Sequence, residues 1–268
     1  MRYYHLPPAA EKEPPTVGDE VALPAGESRH LLKVMRARAG DEVLLTDGRG
    51  RRLTATLLRA HGPAARLRIE ASELDRAELL RPRLWLACSV VKGRHFEWAL
   101  EKAVELGAHA IQPLLTARGE IAPREGKLER WGAILAGAAK QSGRAWLPDL
   151  SPPANLSDWL SVWRGGGLYY GVARARDRNW RDDEAGLLSP GRLFASAGGA
   201  IAVAGDLAWV VGPEGGWDER ELAALAGAGT PVRLGPHRLR TETAACAGLA
   251  LLAAVREMLL DAEPAPGA

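Results

Sequence analysis

The chain has 268 residues, a net charge of +2, and 47% hydrophobic and 25% charged residues, as expected for a soluble globular protein of one or two domains. Its longest apolar run, Ala244–Val255, is shorter than the roughly 20 residues that a membrane-spanning helix needs, and Met1–Pro8 lacks the apolar stretch of a secretory signal. Cys88 and Cys246 each lie inside an apolar run, which favours buried thiols in a reducing compartment over a disulfide or a metal site. We therefore expect a cytoplasmic protein without a membrane partner or a metal.

Residues 1–72 have the pattern of a small β-rich domain. Two runs, Glu42–Thr46 and Arg51–Leu58, alternate as half-buried strands do, and they flank an Asp-Gly turn, which is a hairpin signal. A shorter alternating run covers Ala65–Glu70, and Ser28–Met35 has the pattern of a short helix whose first residue is the N-cap. Short strands with tight turns predict a small barrel or sandwich.

This N-terminal region is also basic. Between Ser28 and Arg68 there are ten basic and three acidic residues, so the segment carries +7 while the whole chain carries +2. Such a local excess favours a polyanionic partner, although a solvated face in an arginine-rich chain, with a surface or half-buried His30, is the alternative. The candidate RNA-binding residues here are Arg29, His30, Lys33, Arg36, Arg38, Arg49 and Arg51.

The second part of the chain has a different pattern. Residues 73–82 carry charge and end in Arg-Pro, which predicts a linker, and residues 83–262 alternate strands with helices, which predicts a largely parallel, helix-covered sheet. The strands are predicted at Leu84–Val91, Ala110–Leu115, Gly167–Val172, Ala208–Val211 and Pro231–Leu234, and the helices at Phe96–Leu106, 128–142, 218–227 and Thr243–Leu260. A capping box is predicted at Asp218 and Glu221, and residues 263–268 are expected to be a disordered tail.

Two glycine-containing segments near the C-terminus are the main candidates for a ligand site. The first is Gly212–Gly216 and the second is Leu234–Ala244, and each follows a short strand and leads into a helix. Ligands of α/β sheets bind at such strand ends, so the two segments can form one pocket if their strands are neighbours. Neither segment has the Gly-Lys-Ser/Thr of a phosphate-binding loop or the Gly-x-Gly-x-x-Gly of a dinucleotide site.

Each segment also has a structural explanation. A tight turn that needs positive φ accounts for the first segment as well as a pocket wall carrying the Glu214 carboxylate does. In the second, Thr241 is a natural N-cap and Glu242 suits the positive end of the helix dipole. Neither argument accounts for Arg238 and Arg240 beside a Gly-Pro loop.

Together with motifs elsewhere in the chain, these segments resemble the SPOUT class of methyltransferases and, within it, the family of 16S ribosomal RNA uridine-N3 methyltransferases (RsmE). The matching motifs are Arg29-His30-Leu31, Lys92-Gly93, Glu101-Lys102-Ala103, Glu105-Leu106-Gly107, Gln141-Ser142-Gly143-Arg144, Gly212–Gly216 and Leu239–Ala244. The chain departs from the family in having Lys140 where a Glu is usual, and Arg118-Gly119 where the family has Arg-Ser.

The resemblance implies a PUA-like β-barrel at residues 1–72 that binds RNA, and a SPOUT α/β domain at residues 83–262 with a C-terminal trefoil knot. It implies S-adenosyl-L-methionine as the cofactor, small-subunit ribosomal RNA or the assembled 30S subunit as the substrate, and a homodimer. It adds Arg144 to the RNA-binding residues. The implied cofactor-binding residues are Val211, Gly212, Pro213, Glu214, Gly215, Gly216, Leu234, Gly235, Leu239, Arg240 and Thr241.

The implied reaction needs positioning more than reactive groups. The methyl group of a sulfonium is already activated, so the enzyme must hold an unpaired uridine in line with it and remove the N3 proton. We expect Arg240 to stabilise the uridine anion and Glu242, or a water, to accept the proton. Two alternatives stay open: the same fold acting on another RNA, such as transfer RNA 2′-hydroxyls, and a ribosome-binding factor that has lost the cofactor.

Overall fold

The computed structural model describes residues 3–6, 14–59, 64–119, 123, 126–172, 187–197 and 205–262. The chain forms two compact units: the first comprises residues up to 79 together with 135–147, and the second comprises residues 80–134 and 148 onward. The sequence predicted a single boundary between the two domains, at the linker 73–82. It did not predict that residues 135–147 belong to the first unit. The predicted tail, 263–268, lies outside the described residues.

A five-stranded mixed sheet forms the first unit. Its strands are β1 (Tyr3–His5), β2 (Glu20–Ala22), β3 (Glu42–Thr46), β4 (Arg51–Arg59) and β5 (Arg66–Leu74). They pair in the order β1-β3-β4-β5-β2, and β1 runs parallel to β3 while the other neighbours are antiparallel. The Asp47 carboxylate accepts the backbone N–H groups of Arg49 at 2.7 Å and Arg51 at 2.9 Å, so it stabilises the turn of the predicted β3–β4 hairpin.

The predicted helix at Ser28–Met35 has different bounds and an irregular end. Helix α1 spans Ala25–Arg29, and a π-helical turn over His30–Val34 follows it. The predicted N-cap role of Ser28 is wrong, because this residue lies inside α1. Its buried hydroxyl instead donates to the carbonyl oxygen of Leu23 at 2.9 Å and accepts the N–H of Ala65 at 3.0 Å, which satisfies both of its hydrogen-bonding roles.

The segment 135–147 completes the first unit. Trp146 forms isolated bridges with Gly48 and Arg49, and its indole Nε1 donates to the carbonyl oxygen of Asp75 at 3.0 Å. A Cβ on Gly50 would lie 2.2 Å from the Trp146 ring, so only glycine fits beneath it. A tryptophan from a distant part of the sequence therefore packs over the β3–β4 turn.

A parallel sheet forms the centre of the second unit, as predicted. Its strands are β6 (Leu84–Ser89), β7 (Ala108–Leu115), β8 (Asp149–Leu150), β9 (Ala154–Asn155), β10 (Gly167–Gly171), β11 (Leu207–Val211) and β12 (Thr230–Val232). The order is β12-β10-β11-β6-β7-β8, with β9 also beside β7. The helices of the chain after α1 are α2 (His95–Glu105), α3 (Lys127–Ser142), α4 (Leu156–Val162), α5 (Pro190–Ala197), α6 (Glu219–Ala228) and α7 (Thr241–Ala262). The predicted capping box of α6 is confirmed at Asp218 and Glu221.

Helix α7 packs against the centre of this sheet. Trp209 of β11 is fully buried, and its indole Nε1 donates to the carbonyl oxygen of Ala244 at 3.0 Å. A Cβ on Gly248 would lie 1.8 Å from the same ring, so glycine lets the helix approach the strand. By length and composition α7 could cross a membrane, and 33% of its apolar window is buried inside the unit, with Leu252 and Val255 fully buried.

Candidate active site

A cavity of about 330 Å³ opens at the carboxyl ends of β11, β10 and β12. We call Gly212–Gly216 the glycine loop and Leu234–Arg240 the arginine loop; both line the cavity. Their strands are not neighbours, because β10 lies between β11 and β12. The end of β10, at Gly171 and Val172, therefore adds a third wall that the sequence pattern did not single out.

Most of the predicted cofactor-binding residues lie in this wall, and three do not. Those that line the cavity are Val211, Gly212, Pro213, Gly216, Leu234, Gly235, Leu239 and Thr241. Glu214, Gly215 and Arg240 are exposed and lie outside the lining. Sequence reasoning did not assign Trp217, Leu222, Val232, His237, Arg238 and Ala244 to the cofactor, and these residues complete the wall. They lie at the end of β12, in the loops or in the first turns of α6 and α7, and only their position along the chain could have indicated them.

Each glycine of the glycine loop meets a different steric requirement. A Cβ on Gly212 would lie 2.9 Å from the Trp217 ring, and a Cβ on Gly215 would lie 2.9 Å from Cβ of Arg118. Gly216 has φ +73°, a left-handed conformation that glycine adopts without strain. The indole Nε1 of Trp217 donates to the carbonyl oxygen of Gly171 at 3.4 Å, which joins the loop to the end of β10.

Side chains that follow two other strands hold the glycine loop. The Thr241 hydroxyl donates to the carbonyl oxygen of Gly212 at 3.0 Å, so the predicted N-cap role of Thr241 is replaced by a bond across the cavity wall. Arg238 donates from Nη2 to the carbonyl oxygen of Glu214. From the turn after β7, Arg118 donates from Nη1 to the carbonyl oxygen of Gly215 at 3.2 Å.

The turn after β7 is itself tightly bonded. The Thr116 and Ser89 hydroxyls lie 2.7 Å apart, and the N–H of Ala117 donates to Glu221 Oε1 of α6 at 2.8 Å. A Cβ on Gly119 would lie 2.4 Å from Thr116 Oγ1, which gives a steric reason for glycine where the family has serine. This turn is thus fixed close to the glycine loop.

The two predicted catalytic residues have different surroundings. Arg240 is exposed, and no described residue forms an ion pair with it. Glu242 lies in the first turn of α7 with its side chain 12% exposed, and its Oε1 is 2.9 Å from Nδ1 of the half-exposed His95. Its Oε2 is buried without a hydrogen-bond partner among the described residues, which costs about 1–3 kcal/mol unless a ligand or water supplies a donor.

The thiols of this unit have the properties of buried side chains. Burial raises the pKa of Cys88 far above its usual value, and the nearby carboxylates of Glu214 and Glu242 raise it further. Burial also raises the pKa of Cys246. Both thiols therefore stay protonated at neutral pH, and neither is suited to act as a nucleophile. Within the described ranges, no group of three or more His, Cys, Asp or Glu residues could hold a metal ion.

The predicted RNA-binding residues of the first unit are mostly exposed. Those with exposed side chains are Arg29, Lys33, Arg36, Arg38 and Arg49. His30 is half-buried, with Nδ1 3.4 Å from the Tyr4 hydroxyl, and the half-buried Arg51 donates to the Ser72 hydroxyl at 3.4 Å. Val34 and Met35 lie among the basic residues and are 64% and 53% exposed, so this surface offers both charge and apolar area.

Arg144 is the exception among these residues. It is 7% exposed, and its Nε and Nη2 both donate to Glu78 Oε2, at 2.8 Å and 2.6 Å. Because a buried guanidinium without its carboxylate is costly, the pair with the partly buried Glu78 stabilises the first unit. This pairing leaves little of Arg144 exposed, and its role in RNA binding stays a prediction.

Comparisons with known proteins agree with this architecture. The model of an RNA methyltransferase domain matches residues 79–253, and the model of an RNA methyltransferase PUA domain matches residues 23–70. Ribosomal RNA small subunit methyltransferase E from Synechocystis is 35% identical over 88% of this chain and 74% of its own length, and its counterpart from Mycobacterium bovis is 33% identical over 88% and 86%. The crystal structure of this methyltransferase from Neisseria gonorrhoeae, bound to S-adenosyl methionine, has 30% identity and a TM-score of 0.76, and covers 96% of this chain and 98% of its own. The resemblance drawn from the motifs is confirmed: the chain belongs to the ribosomal RNA small subunit methyltransferase E family.

Proposed function

We propose that this protein transfers the methyl group of S-adenosyl-L-methionine to N3 of one uridine in 16S ribosomal RNA. The observation that carries the proposal is the cavity at three adjacent strand ends, lined by two loops that are joined by the hydrogen bond from Arg238 to Glu214. Its place at the carboxyl edge of a parallel sheet is where α/β folds bind ligands. Family membership supplies the reaction class, and the relative from Neisseria gonorrhoeae binds the same cofactor.

The cavity fits such a cofactor in size and chemistry. Its volume of about 330 Å³ lies within the roughly 300–1,000 Å³ of small-molecule sites. Val211, Leu239 and Ala244 give it apolar surface, and Gly212 and Gly235 bring backbone polar groups to the wall without side chains. The bound cofactor would supply a methyl group on a positively charged sulfur.

The chain's own residues must then manage the charge and the proton of the uracil ring. We assign Arg240 the role of stabilising the uracil anion, because it directly precedes Thr241 of the cavity wall in the chain and its guanidinium has no ion-pair partner among the described residues. We assign Glu242 the role of proton acceptor. His95, 2.9 Å from its Oε1 and 46% exposed at its side chain, gives the proton a path to solvent.

The finer features of the fold belong to the same proposal. We infer that residues 1–72 close into a PUA-like barrel and that the two loops around the cavity are part of a deep trefoil knot. The resemblance to the SPOUT class is what supports the knot, and the hydrogen bond from Thr241 to Gly212 brings the start of α7 next to the glycine loop. We further infer a homodimer that acts in the cytoplasm on small-subunit ribosomal RNA or on the 30S subunit.

Two measurements test the function. Calorimetry with S-adenosylhomocysteine should show binding without added metal. Small subunits from a strain that lacks the enzyme, incubated with this protein and S-adenosyl-L-methionine, should gain one methyl group on a 16S uridine base, located by mass mapping. A folded protein that binds no S-adenosylhomocysteine would be a ribosome-binding factor rather than an enzyme. Methyl groups on transfer RNA ribose would instead establish the alternative substrate.

Light scattering that gives a monomer at micromolar concentration would contradict the dimer.

A further inference from the structure

Two arginines from different parts of the chain bond the tip of the glycine loop. Arg238, in the arginine loop after β12, donates to the carbonyl oxygen of Glu214, and Arg118, in the turn after β7, donates to that of Gly215 at 3.2 Å. These carbonyl groups belong to adjacent residues, whose Cα atoms are about 3.8 Å apart. Both guanidinium groups are therefore anchored on the same short piece of backbone.

Neither arginine has a counterion among the residues that the structure describes. Each acceptor is a neutral carbonyl, and within the described ranges no carboxylate lies within ion-pair distance of either guanidinium. Both side chains are exposed. A guanidinium has five N–H donors, and each of these arginines uses one. Because a neutral amide could hold a carbonyl equally well, holding the loop does not account for two adjacent cations.

We propose that Arg118 and Arg238 together bind a phosphodiester of the RNA substrate at the mouth of the cofactor cavity. This inference rests on the proposed function and adds an RNA-binding pair to it. Guanidinium groups match phosphate oxygens in geometry and charge. A uridine can enter the cavity only if it is turned out of its stack. Arg118 and Arg238, which we call the arginine clamp, hold it there by binding the adjacent phosphodiester.

The position of the pair favours RNA over the other oxyanion that this enzyme meets, the carboxylate of the cofactor. Arg238 lines the cavity, whereas Arg118 lies outside the lining and bonds an exposed residue of the glycine loop. A group that touches both arginines therefore extends beyond the cavity lining, which favours a large substrate.

Charge and hydrogen bonding can be separated by substitution. R118Q and R238Q remove the charge and keep an amide N–H donor on a shorter side chain, whereas R118K and R238K keep the charge. R164Q is the matched control: Arg164 is exposed and also donates to backbone carbonyls, those of Ser161 and Trp163, both at 2.8 Å. Arg164 precedes β10 and thus lies near the amino ends of the strands, away from the cavity at their carboxyl ends.

The measurements are the KM for unmethylated small subunits at several salt concentrations, the Kd for S-adenosylhomocysteine and the thermal unfolding temperature. R118Q and R238Q should each raise the KM by about 10-fold or more and reduce the salt slope by about 0.7 for each phosphate that the variant no longer neutralises. The Kd of R118Q, which lies outside the cavity lining, and the unfolding temperatures of both variants should match those of R164Q. The lysine variants should bring the KM part of the way back to the wild-type value.

Two results would overturn the clamp while leaving the proposed function intact. A Kd for S-adenosylhomocysteine that weakens in parallel with the KM would mean that the pair binds the carboxylate of the cofactor. A KM and salt slope equal to those of R164Q would mean that the arginines only hold the loop. An inactive wild-type protein that binds no cofactor would remove the proposed function, and the clamp with it.

Discussion

Thr241 and Arg144 show what a residue's local sequence can and cannot predict. Thr241 stands at a helix start, and its position predicts an N-cap, but its hydroxyl donates to Gly212, 29 residues earlier. Arg144 belongs to a family motif beside a basic region, but its guanidinium pairs with Glu78, 66 residues earlier. Local patterns identify the type of residue a position needs, whereas the partner comes from parts of the chain that only folding brings together.

Arg240 gives a prediction at this scale. Arg240→Ala should lower the single-turnover methylation rate by about 100-fold, the usual effect of removing one electrostatic stabiliser, and should leave the Kd for S-adenosylhomocysteine unchanged. Arg240→Lys should recover little if the planar guanidinium is needed. Arg220→Ala, which removes an exposed arginine near the start of α6, serves as the control. Normal turnover in Arg240→Ala would exclude Arg240 from the mechanism.

Among the elements, the buried ones were the most predictable. The predicted strand at Ala208–Val211 is β11, Leu207–Val211, and the predicted helix at Phe96–Leu106 is α2, His95–Glu105. Long apolar or periodic runs give strong signals, whereas β8 and β9 have two residues each and no period to detect. The same holds for the candidate site. The two loops could be recognised as glycine-containing segments, but the part of the cavity wall formed by the end of β10 depends on the order of the strands, which the sequence pattern does not predict.

The packing of α7 on β11 gives a prediction for an element. Gly248→Ala should lower the free energy of unfolding by about 1–3 kcal/mol, because the added methyl group overlaps the buried Trp209 ring. The gain in helix propensity, up to about 1 kcal/mol, does not offset this overlap. Gly132→Ala in α3 is the control, because no atom lies within 4 Å of the new Cβ. Denaturant unfolding should therefore show opposite shifts, and equal shifts would contradict the close approach of α7.

For the whole molecule, the basic residues and the cofactor cavity lie in different units. Arg29 and Arg36 belong to the first unit, and the cavity lies in the second. Arg29→Ala and Arg36→Ala should therefore weaken binding to small subunits and reduce its salt dependence, while the Kd for S-adenosylhomocysteine stays constant. Arg164→Ala removes the same charge from the second unit. Loss of cofactor affinity with unchanged RNA binding would reverse the assignment of the two units.

The interrupted first unit has a consequence for how the protein is made. Its sheet ends at Leu74, but the tryptophan that packs over Gly50 is residue 146. At about 5–20 residues per second, a ribosome needs roughly 3–14 seconds to extend the chain from residue 79 to residue 147. Strands β6 and β7 are synthesised in that interval. The first strands of the second unit are therefore present in the nascent chain before the last segment of the first unit has been synthesised.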